Sequence, residues 1–213
     1  KHWVEKQNAL TNKYLRKISY RKKIEKRLKD FWDYSTMSIP FKKGGKTYYY
    51  QNNGLQNQAV LYVKDSLSSE PKVLINPNTF SKDGSVALRG TYFSKNNKFM
   101  GYSISKSGSD WTEFFILDLE TNKLVKDHLD WIKFSGMSWH GDGFYYTRYP
   151  KTEKKNQYSA SNENSKVYYH LLGTSQDADE LVFYDPNTPR ISPWITSSND
   201  ERFLFLYRSK GTY

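Results

Sequence analysis

Ser138 is the residue whose surroundings most resemble those of a nucleophile. It lies in Gly136-Met137-Ser138-Trp139-His140-Gly141, a serine flanked by glycines and followed by a histidine. A nucleophile elbow needs glycine two residues to either side of the serine, because the strained strand-to-helix turn has no room for a side chain there. Here the second glycine stands three residues away, and the surrounding pattern reads strand, turn, strand. Ser138 is therefore read as structural. Four histidines, His2, His128, His140 and His170, could act as bases or ligands, but none is spaced i, i+4 from another and no carboxylate completes a ligand set. Each is read as a surface or strand residue. Asp118, Glu120, Asp127 and Asp130 are acidic neighbours, yet paired-carboxylate chemistry needs a pocket that spacing alone does not make. There is no cysteine, which excludes disulfides, thiolate zinc sites and cysteine nucleophiles. No glycine-rich phosphate loop is present. The expectation is that these residues hold no catalytic set, no metal site and no cofactor.

The elements that must position these side chains follow from charge and periodicity. The 213 residues carry a formal charge of +11, with 33 basic and 22 acidic residues. Residues 1–46 hold 14 Lys/Arg against 4 Asp/Glu, a net of +10, so nearly all of the excess is local. In that stretch Trp3, Leu10, Tyr14 and Ile18 recur at helical spacing, and Tyr20, Ile24, Leu28, Phe31 and Trp32 do so more cleanly. Two amphipathic helices are predicted. Their polar faces carry Arg16, Lys17, Arg21, Lys22, Lys23, Lys26, Arg27 and Lys29. Such a face can meet nucleic acid or an acidic surface. No nucleic-acid fold or motif accompanies it, and Phe31 and Trp32 are needed for the apolar stripe. The preferred reading is a solvated face whose stripe docks on another domain. No apolar run approaches the ~18 residues that span a bilayer, so no membrane partner is expected. The absence of cysteine suits a periplasmic or a cytoplasmic home equally. Lys1 in place of methionine, and a strand-like run just before Tyr213, lead to the expectation of a fragment of a longer protein.

After Pro40 the texture changes. The chain has 18 Tyr, 12 Phe and 6 Trp, enough large side chains for a core and biased towards strands. Four times a polar turn is followed by an aromatic strand: turns beginning at residues 42, 95, 140 and 199 lead into strands over 47–50, 99–104, 144–147 and 203–207. The last three turns also follow strands, ending in Phe93, Trp139 and Ser197. Further strands are predicted over 59–64, 112–118 and 167–171, with outer strands over 72–75 and 180–184. Residues 151–165 are polar and read as a mobile loop. Units of about four strands repeating at 40–60 residues are the pattern of a β-propeller. Stacked sandwich sheets are the alternative, but they do not require repetition on this scale. The fold class is accordingly mainly β: a partial β-propeller of about four blades, behind an amino-terminal pair of amphipathic helices. The expected domains are a helical segment over 1–38 and a partial propeller over 39–213.

Six collinear strings then become specific. Residues 52–62, NNGLQNQAVLY, resemble a stretch of the prolyl oligopeptidase family. So do NPN at 76–78 with FSKDG at 80–84, SGSDW at 107–111, KFSGMSW at 133–139, YYHLLGT at 168–174 and WVEKQN at 3–8. Together they run the length of the chain in the family's order. The resemblance implies a serine peptidase that cleaves short peptides after proline. It implies an α/β-hydrolase domain capped by a seven-bladed propeller, with the amino-terminal helices packed on the hydrolase. The family's nucleophile, base and carboxylate lie downstream of the propeller, so this chain alone is expected to be inactive. It also implies that the propeller gates access and lines the peptide cavity, with proline-containing oligopeptides as ligands and the hydrolase domain as partner. By motif match, Phe134 resembles a phenylalanine that packs against substrate upstream of the proline. Asp110 resembles an aspartate that faces the hydrolase domain, where an interdomain ion pair would form. Without the family, Phe134 reads as a core aromatic and Asp110 as a turn cap. Asn76 departs from the family's usual aspartate, residues 191–194 depart from its glycine-containing stretch, and no role is carried to Arg208 or Ser209. The rival function is a non-enzymatic propeller-like binding module whose basic helices contact an acidic partner or RNA.

Overall fold

The computed structural model describes residues 1–151 and 161–211. The greater part of the segment expected to be a mobile loop, residues 152–160, lies outside the described residues. Two helices come first, α1 (His2–Leu15) and α2 (Arg21–Trp32), and neither buries a residue. Ile18, expected in the first apolar stripe, falls in the turn between them. No helix among the described residues is long and apolar enough to cross a membrane.

After α2 the described residues are mainly β-structure, and all the pairings among them are antiparallel. A five-stranded sheet holds β1 (Thr36–Met37), β2 (Phe41–Lys43), β3 (Lys46–Asn52), β4 (Val60–Lys64) and β5 (Lys72–Ile75), with β1 and β2 both pairing β3. Asn76 then starts a short 3-10 turn, and its side-chain oxygen accepts the Asn78 amide at 3.1 Å. An asparagine caps such a turn as an aspartate would, so the departure at this position leaves the local structure intact.

An eight-stranded sheet follows: β6 (Val86–Phe93), β7 (Phe99–Lys106), β8 (Trp111–Asp118), β9 (Lys123–Lys133), β10 (Ser138–His140), β11 (Gly143–Arg148), β12 (Lys166–Leu171) and β13 (Glu180–Phe183). It divides into two meanders, because β9 and β11 are joined only through Ile132 and Arg148. A separate hairpin is made by β14 (Ser192–Ser197) and β15 (Leu204–Ser209). The strands read from the aromatic repeat all form. β9, the longest at 11 residues, was not anticipated.

The core lies between successive units. Tyr48, Leu61, Val63 and Ile75 of the first sheet pack against Met100, Tyr102, Ile104 and Leu117 of β7 and β8. The other side of that meander carries Phe114, Ile116, Leu129 and Ile132, which meet Trp139, Phe144 and Tyr146 of the next. Tyr145 and Val167 in turn meet Ile195 of β14. The two middle units thus bury one face on the unit before and one on the unit after, the arrangement of radially or linearly repeated sheets. The chain is mainly β with two helices, and its stacked, unclosed sheets fit part of a propeller.

Candidate substrate-facing surface

The two residues singled out by resemblance lie together. Trp111 opens β8 and pairs with Lys133 at the end of β9, so Asp110 and Phe134 are brought alongside each other at the same end of the sheet. The backbone there is unusual. Thr112 pairs with Ile132 and Phe114 with Leu129, so residues 130 and 131 stand opposite Glu113 alone, a β-bulge. Trp131 has φ 58° and Phe134 φ 55°, left-handed values that bulky residues seldom adopt. The bulge lays Trp131 against Trp111, ring centroids 4.5 Å apart, and the Trp131 indole N–H donates to the Pro150 carbonyl at 3.1 Å. Phe134 is turned outward and is 67 % exposed, so the core alternative for this ring is excluded.

Between these groups sits the Lys133 ammonium. It is 5.4 Å from the Trp111 ring centroid, 5.0 Å from that of Phe134 and 3.9 Å from the Asp110 carboxylate. It also donates to Asn162 Oδ1 at 3.1 Å. Beside Phe134 opens a cleft of about 280 Å³, walled by Met137, Tyr145, Thr147, Tyr149, Pro193 and Trp194. Its floor is stitched together by the Thr147 amide donating to Ser135 Oγ at 2.8 Å and the Thr147 hydroxyl donating to the Pro193 carbonyl at 2.9 Å. The surface therefore offers an exposed aromatic ring, an apolar cleft and a charge pair, suited to holding an extended peptide. It contains no nucleophile with a base.

Ser138 accepts the Ser197 amide at 3.0 Å, tying β10 to β14, in keeping with its structural reading. His140 Nδ1 lies 3.2 Å from Ser197 Oγ, and His128 stacks on Phe115 with Nε2 3.1 Å from Glu113. Among the described residues no His, Asp and Glu set is arranged to hold a metal. Arg208 is taken up by Asp185 and Thr188, at 2.5 and 2.7 Å.

His170 is different, and spacing gave no hint of it. Fully buried, it places Nδ1 2.7 Å from Asp179 and Nε2 3.0 Å from Asp127. Burial opposes its charge, but hydrogen bonds and attraction from Asp179 and Asp127 outweigh burial and raise its pKa above the ordinary histidine value. Tyr146 donates to Asp179 at 2.6 Å and the Gly173 amide to Asp127 at 2.6 Å, completing the network. Burial first, and then this bond to Asp179, push the Tyr146 hydroxyl far above the usual phenol range.

All of residues 1–213 match the family model described as "Prolyl oligopeptidase, N-terminal beta-propeller domain". The prolyl endopeptidase of Elizabethkingia miricola is 42 % identical over 215 residues, covering 100 % of this chain and 30 % of that protein. That of Dictyostelium discoideum is 30 % identical over 257 residues, covering 97 % of this chain and 33 % of its own length. Among solved structures, Galerina marginata prolyl oligopeptidase B, bound to a 35mer hydrolysis and macrocyclization substrate, superposes with a TM-score of 0.86. It shares 26 % identity, over 98 % of this chain and 32 % of that one. The chain thus spans about a third of the length of the curated relatives it matches. It belongs to the prolyl oligopeptidase family, as a match to the family's amino-terminal propeller domain.

Proposed function

We propose that this chain is the gating and substrate-selecting part of a serine peptidase that cleaves short peptides after proline. The observation that carries the reading is the family match over all 213 residues. The exposed Phe134 beside an apolar cleft is what such a role needs. In this reading the stacked sheets are about four blades of a seven-bladed ring, with β14 and β15 beginning the fourth. Residues 1–38 pack on an α/β-hydrolase domain and residues 39–213 form the partial propeller. The exposed Ile24, Leu28, Phe31 and Trp32 of α2 support that docking. β1 crosses the junction, since Thr36 and Met37 pair with β3.

The hydrolase domain supplies the serine nucleophile, its histidine base and an oxyanion hole, and reaction passes through an acyl-enzyme. The propeller excludes folded proteins and presents Phe134 to the residue upstream of the proline. Asp110, with its side chain about half exposed, is placed to pair with a cation across the domain boundary as well as with Lys133. That the Galerina marginata relative was solved with a 35mer substrate supports an oligopeptide as the ligand class. The test is fluorophosphonate labelling of the natural gene product on a denaturing gel. A labelled band far larger than 213 residues, competed by a prolyl aldehyde, is expected. An unlabelled product would overturn the peptidase reading and leave a binding module with basic helices.

A further inference from the structure

The end of β9 bends in a way its sequence does not favour. A bulge with its inner residue in the left-handed region is ordinarily built on glycine, yet here that conformation falls on Trp131, and again three residues later on Phe134. Bulky residues held there signal a surrounding structure that over-determines them, a pattern that clusters at binding sites. What the bend achieves is to gather three aromatic rings at one end of the sheet: Trp131 tilted against Trp111, and Phe134 standing clear of the surface.

Lys133 lies between the two outliers, and its ammonium reaches both the Trp111 and the Phe134 rings. Its side chain is 13 % exposed, an unusual degree of burial for lysine, and its ammonium is enclosed by the Trp111 and Phe134 rings, Asp110 and Asn162. Both rings are within the ~6 Å at which a cation is attracted to an aromatic face. The charge is therefore directed inward and partly balanced by Asp110, which makes it a poor anchor for substrate. It is well placed to hold a ring.

We propose that Lys133 is a positioning residue for peptide recognition. By bridging the Phe134 and Trp111 rings through its ammonium, it holds the exposed phenylalanine as a platform for an apolar residue upstream of the proline. This rests on the reading of Phe134 as a substrate contact. With the clamp in place the ring does not have to be ordered when peptide arrives, so the contribution appears in binding rather than in turnover.

The experiment compares kcat and KM of the full-length enzyme and its Lys133→Met, Lys133→Arg and Phe134→Ala variants. Two chromogenic peptides are used, one with an apolar residue upstream of the proline-containing pair and one truncated before it. Lys133→Met keeps the aliphatic stem and removes the charge. The expectation is a KM for the longer peptide raised roughly three- to tenfold with kcat held, and recovery in Lys133→Arg, which retains a cation over both rings. A raised KM in Phe134→Ala with none in Lys133→Met overturns the clamp alone. No change in either variant overturns the substrate contact and the clamp with it. A readout independent of activity uses the present chain: the ε-methylene protons of Lys133 should resonate upfield of ordinary lysines, shielded by the two rings, and move back in Phe134→Ala. Ordinary shifts in the unsubstituted chain would also overturn the proposal.

Discussion

His170 is a buried titratable side chain held between two buried carboxylates. Both of its nitrogens face carboxylates in a site closed to water, and only the imidazolium can donate to both at once. Because its pKa is raised in the folded state, the stability it contributes is complete below the unfolded value of about 6.5 and is lost as pH rises through the folded value. Urea denaturation at a series of pH values should therefore show stability declining above pH ~6.5, with a shallower decline in His170→Gln. His170→Ala should cost about 3–5 kcal/mol, since it strands Asp127 and Asp179 as buried charges without a counterion. Phe134 makes the opposite case. Mostly solvated, it should be replaceable by alanine at a cost under about 1 kcal/mol. The same change should raise KM for longer peptides, and equal kinetics in both forms would contradict its assignment to the peptide surface.

At the scale of elements, close approach of strands sets the tolerance to substitution. A Cβ on Gly143 would strike the His170 carbonyl oxygen, with the Tyr169 ring also under 3 Å away. These are ladder neighbours across β11 and β12, where the backbone cannot yield without breaking register. Gly143→Ala should lower stability by about 1–3 kcal/mol, measured as a shifted denaturation midpoint with unchanged m-value. The β14–β15 hairpin presents a different hazard. Leu204, Phe205, Leu206 and Tyr207 of β15 are each close to half exposed, so this two-stranded sheet leaves an apolar strand wet although Ile195 of β14 is buried. A two-stranded ribbon is marginal, and an apolar edge invites pairing with another chain. Sedimentation velocity on this chain should show concentration-dependent association that Phe205→Lys with Leu206→Lys suppresses.

For the whole molecule, the organising fact is that successive sheet units pack face to face, through three core clusters. Stability is then spread over interfaces between units, as in other repeat architectures. Much of the basic excess lies on α1, α2 and the turn between them, and large apolar residues of both helices also remain exposed. Ser138 Oγ accepts the Ser197 backbone amide, a tie between β10 and β14. Purified chain should accordingly release no chromophore from a Gly-Pro substrate, and turnover that tracks the purified chain and survives Ser138→Ala would contradict this account.

Composition and periodicity by themselves determined the two helices and the strand repeat, because turn residues and aromatic runs act locally. The collinear motifs likewise determined the family. β9 escaped notice because its bulges break the two-residue alternation, and Lys123, Lys126 and Lys133 make it look like loop. The Asp127–His170–Asp179 network was equally illegible. Strands in the middle of the stack are buried on both faces, so the alternation that separates inside from outside vanishes at Phe144, Tyr145 and Tyr146, and a buried histidine on the neighbouring strand looks like any other. Only the tertiary structure decided that Phe134 points outward and that Lys133 binds it to Asp110 and Trp111. Those contacts join β8 to β9 across a bulge, and such pairing depends on register, which no local sequence preference specifies.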